Sequence, residues 1–262
     1  MTMLGYDDLP ELLTRLTGDE KHDWSSLSTL DVLWVLHDRV LEPDDRFLLS
    51  KGHGPAAFYA VLAAKGLIPV DALDGFGSFS SMLGYHPDRT LVPAAGVGSG
   101  SLGHGLPIAV GAALAGRRVY CLVGDAELDE GSNWEAVQYA GRIGLGALNV
   151  VVVDNRSSTY HWPGGVDARF ALEGWSAVRC DGRDHDAIER AFSAAPGDRN
   201  VVVVDNRSST YHWPGGVDAR FALEGWSAVR CDGRDHDAIE RAFSAAPGDR
   251  PHVVVADVEK KQ

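Results

Sequence analysis

The sequence has few cysteines, an excess of acidic over basic residues and no long apolar run, and each shortage excludes a class of protein. Three cysteines, Cys121, Cys180 and Cys231, are too few for a disulfide framework and fit a reducing cytoplasm. A net charge of −13 without a Lys/Arg cluster argues against a nucleic-acid partner, whose footprint is a basic patch. No apolar run approaches the roughly 18 residues of a membrane span, and no Gly-Lys-Ser/Thr phosphate loop is present. We therefore expect a cytoplasmic globular protein.

The sequence does contain a regular alternation of predicted strands and helices. RFLLS (46–50) is a short apolar run, and strands are predicted at RRVYCLVGD (117–125) and LNVVVVDN (148–155). A continuous run of valines is typical of a strand that is buried on both faces of a parallel sheet. The pattern predicts an α/β fold, a doubly wound, mostly parallel sheet with helices on both faces.

One of the predicted helices covers residues 28–42. Ser28 and Asp31 have the spacing of a capping box at its start. His37 falls on this helix among polar neighbours, so we expect an unremarkable polar position, and we expect His185 at the surface.

The clearest anomaly is an internal repeat. Residues 149–199 and 200–250 are identical over 51 positions. Solenoid repeats share a pattern but diverge in sequence, so perfect identity indicates a recent in-frame duplication, a sequence error or a deliberate alteration.

Two polar residues follow neighbouring strands of the predicted sheet. Asp125 ends one buried strand, and Asn155 follows the next strand 30 residues later. Parallel strands joined by one helix place their carboxyl ends side by side, where open α/β sheets bind ligands. Mg²⁺ prefers oxygen ligands and is usually completed by substrate phosphates. Asp125 and Asn155 could therefore share one hard cation beside a diphosphate.

At these residues the sequence resembles the transketolase family. GDAELDEGSNWEA (124–136) followed by VVVDNRSS (151–158) is similar to the family's thiamine-diphosphate signature, which begins with Gly-Asp and ends in a metal-binding Asn. Further segments match in order: KHDWSSLSTLDVL (21–33), RFLLSKGHG (46–54), SMLGYHPD (81–88) and GSGSLGHGLPIAVGAALA (98–115). The resemblance covers roughly residues 10–199 and the last dozen, and several ordered motifs are far more specific than one Gly-rich loop.

The resemblance implies a cofactor, thiamine diphosphate, and a bound Mg²⁺ or Ca²⁺. It assigns the metal to Asp125, Asn155 and the backbone carbonyl of Ser157. It places further residues at the cofactor: His53 at a phosphate, Gly124 and Ala126 through their backbone, and Gly100, Leu102 and Glu130, with Glu130 near the pyrimidine edge.

The resemblance also implies catalytic residues. His22 and His86 would line the substrate channel, bind sugar hydroxyls and relay protons, with His53 and Glu130 beside them. A ketose donor loses a hydroxyl proton as its C–C bond breaks, and a histidine that titrates near neutral pH suits that step. Two departures from the family pattern are His104 in place of Gln and Ala126 in place of Gly.

The resemblance further implies a partner. The family's cofactor needs a Glu from a second, pyrimidine-binding domain, and no part of this sequence matches that domain. We therefore expect the N-terminal half of a split transketolase, inactive alone, that binds a C-terminal transketolase subunit in an α2β2 assembly. The expected reaction is transfer of a two-carbon ketol unit from a ketose, with a small sugar as substrate. Two alternatives remain: transfer of a glycolyl or acetyl unit to a carrier-protein thiol, and a non-catalytic scaffold.

The spacing also predicts which copy of the repeat is used. Asn155 lies 30 residues after Asp125, as the family pattern requires, whereas Asn206 lies 81 residues after it. We expect residues 1–205 to form the thiamine-diphosphate-binding domain, with 201–204 closing its sheet. Residues 206–262 would then be a surplus or appended unit.

Overall fold

The structure, a computed structural model, describes residues 4–17, 26–160, 164–193, 200–205, 227–232, 235–246 and 252–257. The chain divides into two compact units, residues 1–209 and residues 210–262. None of the helices in the described ranges is long and apolar enough to cross a membrane.

The first unit contains seven α-helices in the described ranges. In chain order they are α1 (Leu9–Arg15), α2 (Leu30–Val35), α3 (Ala56–Ala64), α4 (Gly105–Leu114), α5 (Gly131–Ile143), α6 (Gly165–Leu172) and α7 (His185–Ser193). A π-helical turn at Leu36–Val40 continues α2, and 3-10 turns lie at Tyr6–Asp8, Val70–Gly75, Pro93–Ala95 and Glu127–Asp129. α5 ends at Gly144, whose left-handed φ of 65° is the usual conformation after a helix.

The strands of the first unit form one sheet. They are β1 (Arg46–Leu49), β2 (Val119–Gly124), β3 (Leu148–Asp154), β4 (Ser176–Asp181) and β5 (Asn200–Asp205). The five strands lie in the order β1-β2-β3-β5-β4, and every neighbouring pair is parallel. The predicted α/β fold with a parallel sheet is confirmed.

Helices cover both faces of this sheet. On one face, Cys121 and Val123 of β2 share a buried cluster with Val150 of β3, and helices α4, α5 and α6 pack onto the strands in that cluster. On the other face, the ring of Tyr120 meets the ring of Phe192 on α7, with centroids 6.0 Å apart. Successive residues of β2 thus face opposite layers, and all its side chains are buried. A strand covered on both sides has no solvent-facing positions, which is why its sequence is continuously apolar.

The repeat places two identical strands side by side. Asn149 to Asp154 of β3 pair in register with Asn200 to Asp205 of β5, so the first copy closes its sheet with the opening strand of the second, as predicted. The second unit contains β6 (Ser227–Asp232), α8 (His236–Ser244) and β7 (His252–Asp257). The pair β6·β7 has the register of β4·β5, because Ser227 faces His252 just as Ser176 faces Asn200.

Three expectations about residues 28–42 and α7 are wrong. Ser28 and Asp31 form no capping box: α2 begins after Thr29 without a side-chain cap, and the carboxylate of Asp31 accepts hydrogen bonds from Tyr6 and His185 instead. His185 is therefore partly buried rather than at the surface, with its ring 4.5 Å from that of Tyr6. His37 packs between aromatic rings, 5.0 Å from Phe47, and burial lowers its pKa to about 4.

Candidate functional site

The carboxyl ends of β2 and β3 bring the predicted metal ligands together. Gly124 pairs with Val153, and the N–H of Asp125 donates to the Val153 carbonyl at 3.0 Å, which extends the ladder by one residue. Asn155 follows directly after Asp154, the last residue of β3. Both side chains therefore lie at the same edge of the sheet, where an open α/β fold leaves room for a ligand.

Asp125 carries a buried carboxylate that is fixed by the loop after β3. Its side chain is 2% exposed. The hydroxyl of Ser157 donates to Oδ1 at 2.6 Å, and the backbone N–H of Ser158 donates to Oδ2 at 3.0 Å. Among the described residues, no cationic side chain forms an ion pair with this carboxylate, so its charge is compensated by hydrogen bonds alone.

Asn155 is held from two sides. Its Oδ1 accepts the N–H of Ser157 at 3.2 Å, and its Nδ2 donates to the hydroxyl of Ser28 at 3.2 Å. Arg156, which lies between Asn155 and Ser157 in the chain, has a φ of 62°. Residues other than glycine seldom adopt this left-handed conformation. Such strain is kept where the surrounding structure imposes it and often marks a functional loop. The amide oxygen of Asn155 is thereby aimed back along its own loop.

This arrangement fits a hard divalent cation. The predicted ligand set comprises the Asp125 carboxylate, the Asn155 amide oxygen and the Ser157 carbonyl, all of them oxygen donors that Mg²⁺ and Ca²⁺ accept. In the described part of the chain no three His, Cys, Asp or Glu side chains cluster as a metal site, and this set contains just one such side chain. A buried carboxylate without an ion pair gains most from a cation, because burial without a counter-charge is costly.

The Gly-rich loop before α4 approaches the same edge closely enough to require its glycines. A Cβ on Gly103 would lie 2.5 Å from Ser132 Oγ, and one on Gly105 would lie 2.7 Å from the Cα of Ser50. Gly103 also has a φ of 86°. The loop therefore packs directly on the residues that follow β1 and on the start of α5.

Two of the three predicted histidines lie in described loops around this edge. His53 is half-buried in the loop after β1, and its carbonyl accepts a hydrogen bond from Lys51 Nζ at 3.3 Å. His86 is exposed, and its ring lies 3.4 Å from where a Cβ on Gly100 would be. His22 lies outside the described residues.

The remaining predicted residues lie on the same loops. Gly124 is buried at the end of β2, with a Cβ position 3.3 Å from the side chain of Lys51. Ala126 has a φ of −66°, so alanine fits without strain where the family more often has glycine. Leu102 is half-buried, and Glu130 is exposed at the N-cap of α5.

The site includes residues that the sequence did not single out. Asp129 accepts hydrogen bonds from the Ser158 hydroxyl at 2.6 Å and the Thr159 N–H at 2.7 Å, which ties the two loops together. Glu127, 1% exposed, bonds to Ser50 and Gly103. Charged side chains are ordinarily expected at the surface. The motif therefore does not predict that Glu127 is buried and Asp129 half-buried.

Comparison with known protein families assigns most of the first unit. Residues 36–201 match the family model described as transketolase, thiamine diphosphate binding domain. The chain belongs to the transketolase family. The match runs from the end of α2 to the start of β5 and includes both predicted metal-binding loops.

Relatives in the transketolase family carry related names. A protein of Actinobacillus succinogenes that is named as one subunit of an apulose-4-phosphate transketolase is 33% identical over 207 residues, which cover 71% of this chain and 75% of the relative. Among solved structures, the transketolase from Leishmania mexicana superposes with a TM-score of 0.65 at 25% identity. That superposition covers 78% of this chain and 37% of the other, so the chain spans about a third of a solved transketolase.

One relative has a discordant name. The protein called Ferredoxin fas2 of Rhodococcoides fascians is 49% identical over 219 residues, covering 78% of this chain and 72% of the relative. A ferredoxin cluster is held by four cysteine thiolates, whereas this sequence has three cysteines in all. Three cysteines cannot supply the four thiolates of such a cluster, so the name is not carried over to this chain.

Proposed function

We propose that this chain is the N-terminal, diphosphate-binding subunit of a split transketolase. With a C-terminal subunit it would transfer a two-carbon ketol unit from a ketose to an acceptor in the cytoplasm. The observation that carries the proposal is the meeting of Asp125, Asn155 and Ser157 at the carboxyl edge of the sheet. Residues 1–205 would form the working domain, and residues 206–262 would be an appended unit.

In the proposed site, oxygen atoms of the chain hold the metal and its diphosphate. Asp125, Asn155 and the Ser157 carbonyl would bind Mg²⁺, and the backbone at Gly124 and Ala126 would face the diphosphate. When bound, thiamine diphosphate supplies the electron sink that permits a C–C bond next to a ketose carbonyl to break. The hydrogen bonds from Ser157 and Ser158 already orient the Asp125 carboxylate, so metal binding needs little rearrangement there.

The histidines would handle protons and substrate hydroxyls. The exposed imidazole of His86 is accessible to a sugar, and an imidazole nitrogen can accept a hydroxyl proton and return it. His53, in the half-buried loop after β1, would bind a cofactor phosphate. His22 would complete the channel in this proposal.

An apolar surface supports the proposed partner. No polar or charged side chain occurs in α4 from Gly105 to Leu114. Its Ile108 and Leu114 are 48% and 51% exposed, and on the neighbouring helix α5, Tyr139 is 51% exposed. Exposed apolar side chains on adjacent helices offer area that a protein partner can cover. We propose that a C-terminal transketolase subunit covers this surface.

The proposal is tested by calorimetric titration of the isolated chain with thiamine diphosphate in Mg²⁺, beside an Asp125→Asn variant. We expect saturable binding by the wild type that disappears with EDTA and in the variant. A ligand at 100 times its Kd stabilises the native state by about 2.7 kcal/mol, so the unfolding temperature should rise in parallel. Absence of both effects would favour the scaffold alternative.

A second measurement tests whether the chain needs a partner. The isolated chain is incubated with thiamine diphosphate, Mg²⁺ and a ketose phosphate, and formation of a new ketose is followed. We expect no turnover, because the proposed function assigns the pyrimidine-binding half to the partner subunit. Clear turnover by the chain alone would overturn the need for a partner, and an acylated carrier thiol would point to the acyl-transfer alternative.

A further inference from the structure

Glu127 is a buried carboxyl group immediately behind the candidate site. It begins the 3-10 turn Glu127–Asp129, two residues after Asp125, and is 1% exposed. Its Oε1 accepts the hydroxyl hydrogen of Ser50 at 2.5 Å and the N–H of Gly103 at 3.0 Å. One oxygen atom therefore receives both hydrogen bonds.

The two donors belong to different loops of the site. Ser50 follows β1 and lies three residues before His53, and Gly103 follows Leu102 in the Gly-rich loop. Glu127 itself belongs to the loop that carries Asp125. Oε1 thus joins the three loops that carry the predicted phosphate, cofactor and metal contacts, although Glu127 contributes to none of those contacts.

Both ends of this link are fixed independently. The Glu127 carbonyl accepts a hydrogen bond from Asn133 Nδ2 at 2.6 Å, which anchors the turn on α5. The Gly103 carbonyl accepts the Ser132 hydroxyl at 2.8 Å, so the peptide groups of Gly103 are held on both sides. Movement of the carboxyl group would be transmitted to the Gly-rich loop rather than absorbed by it.

The second oxygen, Oε2, is buried and has no hydrogen-bond partner among the described residues. An unpaired buried oxygen contributes nothing to holding the loops. The loops are therefore held by the hydrogen-bond acceptor Oε1. The neutral amide of glutamine has the same length and can supply such an acceptor.

We propose that Glu127 is a positioning residue for thiamine diphosphate: its Oε1 fixes the spacing of the loops that carry Asp125, His53 and Leu102 without touching the cofactor. This inference rests on the proposed function. It requires an acceptor at Oε1 and not a negative charge, and this distinguishes it from a catalytic acid or base.

The test compares Glu127→Gln, which keeps the acceptor, with Glu127→Met, which has a similar length but no oxygen. The dissociation constant of thiamine diphosphate is measured in Mg²⁺ by calorimetry. Glu127→Met should bind about tenfold more weakly or worse, since two buried donors lose their acceptor, and each buried hydrogen bond is worth about 1 kcal/mol. Glu127→Gln should restore affinity to within about threefold of wild type, which corresponds to less than 1 kcal/mol.

The outcomes separate this inference from the proposed function. If wild type binds the cofactor and Glu127→Met binds equally well, the positioning role is wrong and the function stands. If Glu127→Gln binds as weakly as Glu127→Met, the charge matters rather than the acceptor, which also overturns the inference. If wild type itself does not bind, the proposed function fails and the inference fails with it.

A second variant protects the test against misfolding of Glu127→Met. Ser50→Ala removes one of the two donors and leaves the carboxyl group in place. Circular dichroism and cooperative unfolding report whether each variant folds. Ser50→Ala should weaken cofactor binding severalfold, and unchanged affinity in a folded Ser50→Ala variant would overturn the proposed link.

Discussion

Ser157 donates its hydroxyl hydrogen to Asp125 Oδ1 at 2.6 Å, which links the loops after two adjacent strands. The same residue donates its N–H to Asn155 Oδ1 at 3.2 Å. Ser157 therefore aligns the two side-chain oxygens that the metal proposal requires. A metal ion held by these oxygens would therefore meet side chains that the loop 155–158 has already brought together.

The repeat supplies a matched control for the metal site. Asn155→Ala should abolish Mg²⁺-dependent binding of thiamine diphosphate, because a ligand next to Asp125 is lost. Asn206→Ala changes the same residue in the second copy and should leave binding within about twofold, a difference of under 0.5 kcal/mol. Calorimetric titration of both variants checks this prediction. Loss of binding in Asn206→Ala with retention in Asn155→Ala would move the site to the second copy.

The identical helices α7 and α8 provide a test of packing. Ile188 on α7 is fully buried, whereas its counterpart Ile239 on α8 is only partly buried. Ile188→Ala should lower the free energy of unfolding by about 2–4 kcal/mol, the usual cost of truncating a core isoleucine. Ile239→Ala should cost about 1 kcal/mol or less, since less apolar area is lost. Urea unfolding of both variants measures the difference, and equal effects would contradict the assigned burial.

Patterns within short segments were sufficient to predict the parallel sheet and to predict that the two expected metal ligands, Asp125 and Asn155, lie close together. Runs such as Val150 to Val153 admit few alternatives to a buried strand, and parallel pairing then forces the loops at Asp125 and Asn155 together. The alternation of strands and helices predicted the α/β class, because such a sequence of elements forms a parallel sheet covered by helices. The predicted use of the first copy rests on one distance in sequence, because an adjacent parallel strand is reached through a single helix.

Contacts between distant segments could not be predicted in this way. Asn155 bonds to Ser28, which lies 127 residues earlier in the chain, and this contact removes Ser28 from its expected capping role. Asp31 likewise accepts from His185, 154 residues later. Ser28 and Asp31 fit the pattern of a helix start, but their side chains bond to distant residues instead of capping the helix. Glu127 is buried because three loops meet around it. The residue spacing of the motif at 124–136 does not predict that meeting.

His37 should make the protein sensitive to acid. Burial lowers its pKa to about 4 from an ordinary value of 6.5, and the neutral ring donates Nδ1–H to the Leu33 carbonyl at 2.9 Å. The unfolded chain therefore takes up a proton near pH 6.5 that the folded chain refuses until about pH 4. As the pH falls through this window, the wild type should lose up to about 3 kcal/mol of unfolding free energy from this residue.

The control is His37→Leu, which keeps an apolar side chain between Phe47 and Phe58 and removes the titrating group. Its unfolding free energy should fall less steeply between pH 6.5 and pH 4 than that of wild type. Urea unfolding at a series of pH values gives both curves. If the two plots of unfolding free energy against pH were parallel, His37 would take up a proton as readily in the folded protein as in the unfolded chain, and the prediction would be wrong.

Arg179 should stabilise the carboxyl edge of the sheet through three acidic partners. Its guanidinium lies 2.8 Å from Asp154 Oδ2, 2.5 Å from Asp167 Oδ1 and 3.4 Å from Asp205 Oδ2, and its side chain is 24% exposed.

Arg179→Met would remove the guanidinium that contacts the carboxylates of both Asp154 and Asp205 at the ends of paired strands. Breaking a buried pair in this way costs about 3–5 kcal/mol, and partial exposure reduces the expected loss of unfolding free energy to about 2 kcal/mol. Arg230→Met alters the same residue of the identical strand β6, where the residue is exposed, and should cost less. Adding Asp154→Asn to Arg179→Met should recover part of the loss, because it removes one of the carboxylate charges that the guanidinium had compensated. Urea unfolding of the four proteins measures these terms, and an Arg179→Met variant as stable as wild type would show that the three ion pairs contribute nothing net.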